Sequence, residues 1–123
     1  MLHIVNVPSV KRLPLEEEHG KDVLYQVFFE DYPEFDSVKP DSMKAFESFS
    51  RVLIKPGTTN EMHVHDNQEQ VYFVVQGGGI ITVGDEKGEV KAGDSIFLPA
   101  KIPHGFVNNT DKLTILLMIG AKI

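Results

Sequence analysis

What most limits the folds open to this chain is its punctuation. Runs rich in Val, Ile and Phe recur throughout, separated by Gly, Pro, Asn and Asp. The pattern predicts strands at Leu2–Val7, Asp22–Glu30, Met43–Ile54, Glu61–His65, Gln70–Gln76, Ile80–Val83, Glu89–Lys91, Ser95–Leu98, Gly105–Asn108 and Leu113–Ile119. Asp31–Ser42 carries two prolines and several turn formers and reads as a loop. Gly77–Gly79 ends the strongest strand, and Gly84–Gly88 reads as a hairpin turn. Only Pro14–His19 invites a helical turn, with Pro at its first position. Many short strands at close spacing mean an all-β sandwich or barrel, and the pattern alone does not choose between them.

Length and charge narrow the function. The 123 residues fit one domain, 1–123. Twelve Lys and Arg against eighteen Asp and Glu leave a net charge of −6, which disfavours a nucleic-acid partner. No apolar run is long enough to cross a bilayer. The Leu2–Val7 patch is broken by His3 and Asn6, and Lys11 and Arg12 follow it, so the expectation is a cytoplasmic protein without a signal peptide. The chain has no cysteine, so any metal site must use imidazole, carboxylate, amide or water.

The five histidines are His3, His19, His63, His65 and His104. His3, in a terminal strand, and His19, in an acidic segment, read as surface residues. His63 and His65 stand two apart in a strand pattern, so their imidazoles share a side and can chelate one divalent ion. Such a pair alone is common on solvated strands. His104, in the segment Ile102-Pro103-His104-Gly105-Phe106, enters a different strand, and three converging imidazoles would leave positions open for water or substrate.

The spacing around these histidines carries more weight. Gly57, His63, His65, Gln70 and Gly77 form one series, and Gly93, Pro99, position 101, His104 and Asn108 form a second. Together they resemble the paired motifs of the cupin superfamily, with the first motif at 57–77 and the second at 93–108. The resemblance covers the chain from about residue 43, with 1–42 as N-terminal strands and loop. It implies a small single-domain cupin: a double-stranded β-helix, or jelly-roll, barrel holding one divalent transition ion such as Zn, Ni, Fe or Mn. The ligands carried over are His63, His65, Gln70 and His104.

Two positions depart from the family pattern. The family places Glu where this chain has Gln70. Three-residue spacing would select Glu69 instead, but the six-residue step to Gly77 selects Gln70. Gln at this position is similar to the pectin-degradation type of cupin. An amide oxygen is a neutral and weaker donor than a carboxylate, so a bound ion would keep its full charge. Lys101 stands where the family has Gly, so that turn either changes its backbone conformation or tolerates strain.

If Gln70 faces inward, Tyr72 and Val74 do too, and Val71, Phe73 and Val75 form a second apolar face that needs a covering layer or a subunit interface. Tyr72 and Phe106 are the candidate substrate-binding residues, with core packing as the simpler role for Tyr72. For 43–54 either parity is open: one turns Phe49 and Arg51 inward, the other Ser48 and Ser50. Asn108 reads as a structural amide closing a turn. The resulting expectation is a metal-dependent isomerase or lyase on a small sugar acid or other oxygen-rich molecule, working as a homodimer. A metal-dependent dioxygenase and a non-catalytic small-molecule-binding barrel are the alternatives. No general base is identifiable.

Overall fold

The computed structural model describes residues 2–15 and 22–123. Its strands are β1 (Leu13–Pro14), β2 (Val23–Val27), β3 (Phe46–Ile54), β4 (Thr59–His63), β5 (Gln68–Gln76), β6 (Gly78–Val83), β7 (Glu86–Lys91), β8 (Ser95–Leu98), β9 (His104–Val107) and β10 (Thr114–Lys122). They form a six-stranded sheet in the order β1-β2-β3-β10-β5-β8 and a four-stranded sheet in the order β4-β9-β6-β7. Every pairing is antiparallel, and the non-consecutive neighbours are those of a jelly roll.

Alternation along β5 builds the core. Gln70, Tyr72 and Val74 are buried, and across β10 and β3 their register partners Met118, Leu116, Ser50 and Val52 are buried as well. Tyr25, Val27, Ile81, Leu98 and Phe106 complete the interior. This settles the parity of β3. Ser48 and Ser50 face inward, whereas Arg51 lies on the outer face and donates from Nη1 to Gln26 Oε1 at 2.6 Å. The Gln26 amide in turn donates to the carbonyls of Val7 (3.1 Å) and Val10 (2.9 Å), pinning the N-terminal segment over that end of the sheet.

Several sequence expectations are corrected. Leu2–Val7 forms no strand: residues 2–6 are irregular, and Val7–Ser9 is a 3-10 turn with Pro8 inside it. Apolar content there signalled a strand, but no neighbouring edge pairs with it among the described residues. Pro14 lies in β1 rather than in a helical turn, and Glu16–His19 fall outside the described residues. Strand β4 ends at His63, so His65 lies just past it. Only Gly77 separates β5 from β6, because Gly78 and Gly79 already pair with Lys91 and Val90. The β6–β7 turn is the two residues Gly84 and Asp85, since Val83 pairs with Glu86.

Gly77 is required at its corner. Its φ is +78°, and a Cβ there would meet Thr114 Oγ1 at 2.6 Å. That hydroxyl donates to Gly78 O at 2.6 Å and accepts from Gly78 N at 3.0 Å, locking the corner to β10.

The outer face of β5 is not covered by other described parts of the chain. Val71, Phe73 and Val75 are 40%, 40% and 47% exposed, and Phe97, beside Val71 on β8, is 57% exposed. With Ile119 on the other flank they make a contiguous apolar patch.

Candidate metal centre

Three elements bring the histidines together. His63 closes β4, His104 opens β9, and the two are register partners across that pair. His65 sits in the segment leading to β5, and its carbonyl accepts from Lys101 N at 2.8 Å, which ties the first motif to the second. The candidate ligand atoms of His63, His65 and His104 all lie within 4.8 Å of one another. Ring-centre distances are 4.4 Å for His63–His104, 5.1 Å for His63–His65 and 5.5 Å for His65–His104. His63 Nδ1 is 2.6 Å from Glu61 O, so Nδ1 carries the proton and Nε2 keeps its lone pair for a ligand. His104 is fully buried.

Gln70 lies on the inner face, only 5% exposed, and its Oε1 is buried without a hydrogen-bond partner. Its Nε2 donates to Gln68 Oε1 at 2.6 Å. Glu69, by strand alternation, takes the opposite face of β5 and is only half-buried. A buried acceptor left unsatisfied costs about 1–3 kcal/mol, and a cation beside it would remove that cost. The three imidazoles fit a divalent transition ion, with no carboxylate in the cluster among the described residues.

Tyr72 is buried with its ring centre 6.0 Å from that of His104, and burial pushes its hydroxyl above the ordinary tyrosine range, so it keeps its proton. Phe106 shares the inward side with His104, and its ring lies over Gly79 in the core. Lys101 keeps the backbone geometry of the glycine it replaces: its φ is +68°, in the left-handed region, so the turn is preserved at the expense of strain. Asn108 is a fully buried structural amide. It donates to Ile54 O and Lys112 O, both at 2.8 Å, and accepts from Thr110.

Sequence reasoning did not single out Gln68, whose amide holds that of Gln70. It also missed the buried pair in which Asn60 Nδ2 donates to the Tyr25 hydroxyl at 3.2 Å, joining β4 to β2. Period-two parity with Gln70 was the available signal for Gln68; nothing local marks Tyr25 and Asn60 as partners.

Residues 50–120 match the family described as "Cupin domain". The chain belongs to the cupin family. Among curated proteins it is similar to an uncharacterized protein of Methanocaldococcus jannaschii, 36% identical over 62 residues and covering 50% of each chain. It is also similar to an oxalate-binding protein of Thermotoga maritima, 29% identical over 65 residues, covering 51% of this chain and 54% of that one. The chain thus spans about half the length of the curated relatives it matches. Among solved structures, a predicted oxalate decarboxylase from Thermotoga maritima superposes with a TM-score of 0.78 at 16% identity, covering 98% of this chain and all of the other, which shows the shared cupin fold.

Proposed function

We propose that this cupin is a metal-dependent enzyme of the isomerase or lyase type, acting on a small oxygen-rich acid or sugar acid. The carrying observation is the pairing of three clustered imidazoles with a buried, unsatisfied Gln70 Oε1. His63, His65, Gln70 and His104 would hold one Zn, Ni, Fe or Mn ion. When bound, such an ion polarises a carbonyl or carboxylate oxygen and acidifies the neighbouring C–H. All four donors are neutral, so the site would favour an anionic ligand once such an ion is held there. The Tyr72 hydroxyl keeps its proton and is available to donate to a ligand oxygen. Ser48 and Ser50 add buried hydroxyls to the inner face of the same sheet. Phe106 and the core around it keep water out.

Gln at the carboxylate position supports a reading near the pectin-degradation cupins, and the oxalate-binding relative supports a small carboxylic acid. We place the protein in the cytoplasm as a homodimer joined through the patch around Val71, Phe73 and Phe97. One observation favours a non-catalytic binding role instead: among the described residues the histidine cluster contains no carboxylate to serve as a general base. Proton exchange separates the two. Keto acids, uronates and diols are offered in deuterated solvent and followed by NMR. Exchange that needs the metal and vanishes in His104→Ala supports the enzyme; tight binding of a panel member without exchange or turnover in any metal form supports the binding role.

A further inference from the structure

An amide ligand has a problem that a carboxylate lacks. Its two ends are nearly the same size, and only one of them can meet a cation. Some neighbour must choose the end, and on β5 the candidate is two residues away on the same face.

Gln70 Nε2 donates to Gln68 Oε1 at 2.6 Å, while Gln70 Oε1 is left buried and without a partner. In the orientation found for Gln68 its Oε1 faces Gln70, and an oxygen accepts and cannot donate, so the Gln70 amide turns its nitrogen towards it and its oxygen away. The fold keeps room for Gln68 to do this. Gly120 on β10 is the register partner of Gln70, and a Cβ there would fall 2.7 Å from Gln68 Cδ, Gln68 Oε1 and Ser48 Oγ. The Gln68 carboxamide therefore occupies the space that a side chain at 120 would fill. Sequence, cross-strand register and hydrogen bond converge on one orientation of one amide.

We infer that Gln68 is a positioning residue that sets which end of the Gln70 amide faces the histidine cluster, with Gly120 giving it the space to do so. The inference rests on the metal reading of the site. Supporting partners of this kind change metal affinity by roughly 10–100-fold when removed.

The test uses the full chain with cobalt(II) as the probe, in calorimetric titrations alongside NMR of the Gln70 side-chain amide in metal-free protein. Gln68→Met keeps length and burial but removes the acceptor. It should weaken cobalt binding about 10-fold or more and abolish the slowed exchange of the Gln70 Nε2 hydrogens. Gln68→Glu offers only acceptors and should keep both the slowed exchange and an affinity within about 3-fold of wild type. In a Gln70→Met background, Gln68→Met should have no further effect, because there is no amide left to orient. Gly120→Ala, whose added methyl displaces the Gln68 carboxamide, should reproduce Gln68→Met with neither glutamine replaced. Wild-type cobalt binding indifferent to Gln68→Met overturns the inference, as does an equal loss in the Gln70→Met background. Wild-type protein that takes up no cobalt refutes the metal reading itself, and persistence of the slowed Gln70 exchange in Gln68→Met would then also deny Gln68 its hold on the amide.

Discussion

Replacing Asn108 with alanine should cost about 2–3 kcal/mol of stability. The figure follows from its partners. Its Nδ2 donates to Ile54 O and to Lys112 O, and its Oδ1 accepts from Thr110 N at 3.0 Å and Thr110 Oγ1 at 2.6 Å. These losses are unequal. Ile54 is wholly buried, so water cannot replace the bond lost at its carbonyl, and that loss costs about 1–2 kcal/mol. Lys112 O keeps the Thr110 hydroxyl as a donor, and Thr110 is only half-buried, so the remaining bonds together add about 1 kcal/mol. For a domain of this size, about 2–3 kcal/mol lowers Tm by roughly 8–12 °C. Urea denaturation followed by circular dichroism, at fixed protein concentration, should show the midpoint falling with an unchanged slope. Asn108→Asp retains the acceptor but sets a carboxylate against two carbonyls, and should be at least as damaging. Thr110→Val should cost only about 1 kcal/mol. An Asn108→Ala protein within 1 kcal/mol of wild type would refute the claim that this amide closes the second motif.

Glu30 gives a pH dependence. Burial, and then the charge of Glu47, push its carboxyl up from 4.5 to about 7, against the pull of Lys39. A carboxyl raised on folding binds its proton more tightly in the native state, so stability falls as pH rises from about 4.5 to about 7 and then levels off. The group is partly solvated, so screening leaves about 1–2 kcal/mol of this effect. Glu30→Gln should therefore gain about 1–2 kcal/mol over wild type in urea melts at pH 8 and nothing at pH 4. Lys101→Gly should raise Tm by a few degrees, because relief of the left-handed backbone, roughly 1–2 kcal/mol, outweighs the entropy that glycine brings; Lys101→Ala, which keeps the strain, should not. Light scattering should give the wild type the mass of two chains and Phe73→Asp the mass of one; a wild-type mass of one chain would end the dimer reading.

Much of the fold was legible because a strand is a local pattern. Turn residues marked the limits of Ser95–Leu98 to the residue, and alternation along β5 tied Tyr72 and Val74 to whichever side Gln70 takes, which is the buried one. The histidine cluster was legible for the same reason, since motif spacing encodes strand and turn lengths. What failed was long-range. Leu2–Val7 has strand composition but pairs with no edge among the described residues, and composition does not report pairing. The parity of β3 depends on its register with β10, which no local pattern contains, so Arg51 stayed ambiguous until Leu117 was seen opposite it on the outer face. Lys101 shows the converse: the motif marks a turn there that a lysine would not choose, but spacing leaves open whether the backbone changes or takes the strain, and the φ of +68° shows that it takes the strain.

The proposed chemistry requires a single ion held by three histidines and one amide. Crystals of protein loaded with one equivalent of cobalt(II), measured at the cobalt edge, test this directly. The expected result is one strong anomalous peak within about 2.3 Å of an imidazole nitrogen from each of His63, His65 and His104 and of Gln70 Oε1. A peak that Gln70 does not reach, a peak held by Glu69, or no peak between β4, β5 and β9 would contradict it.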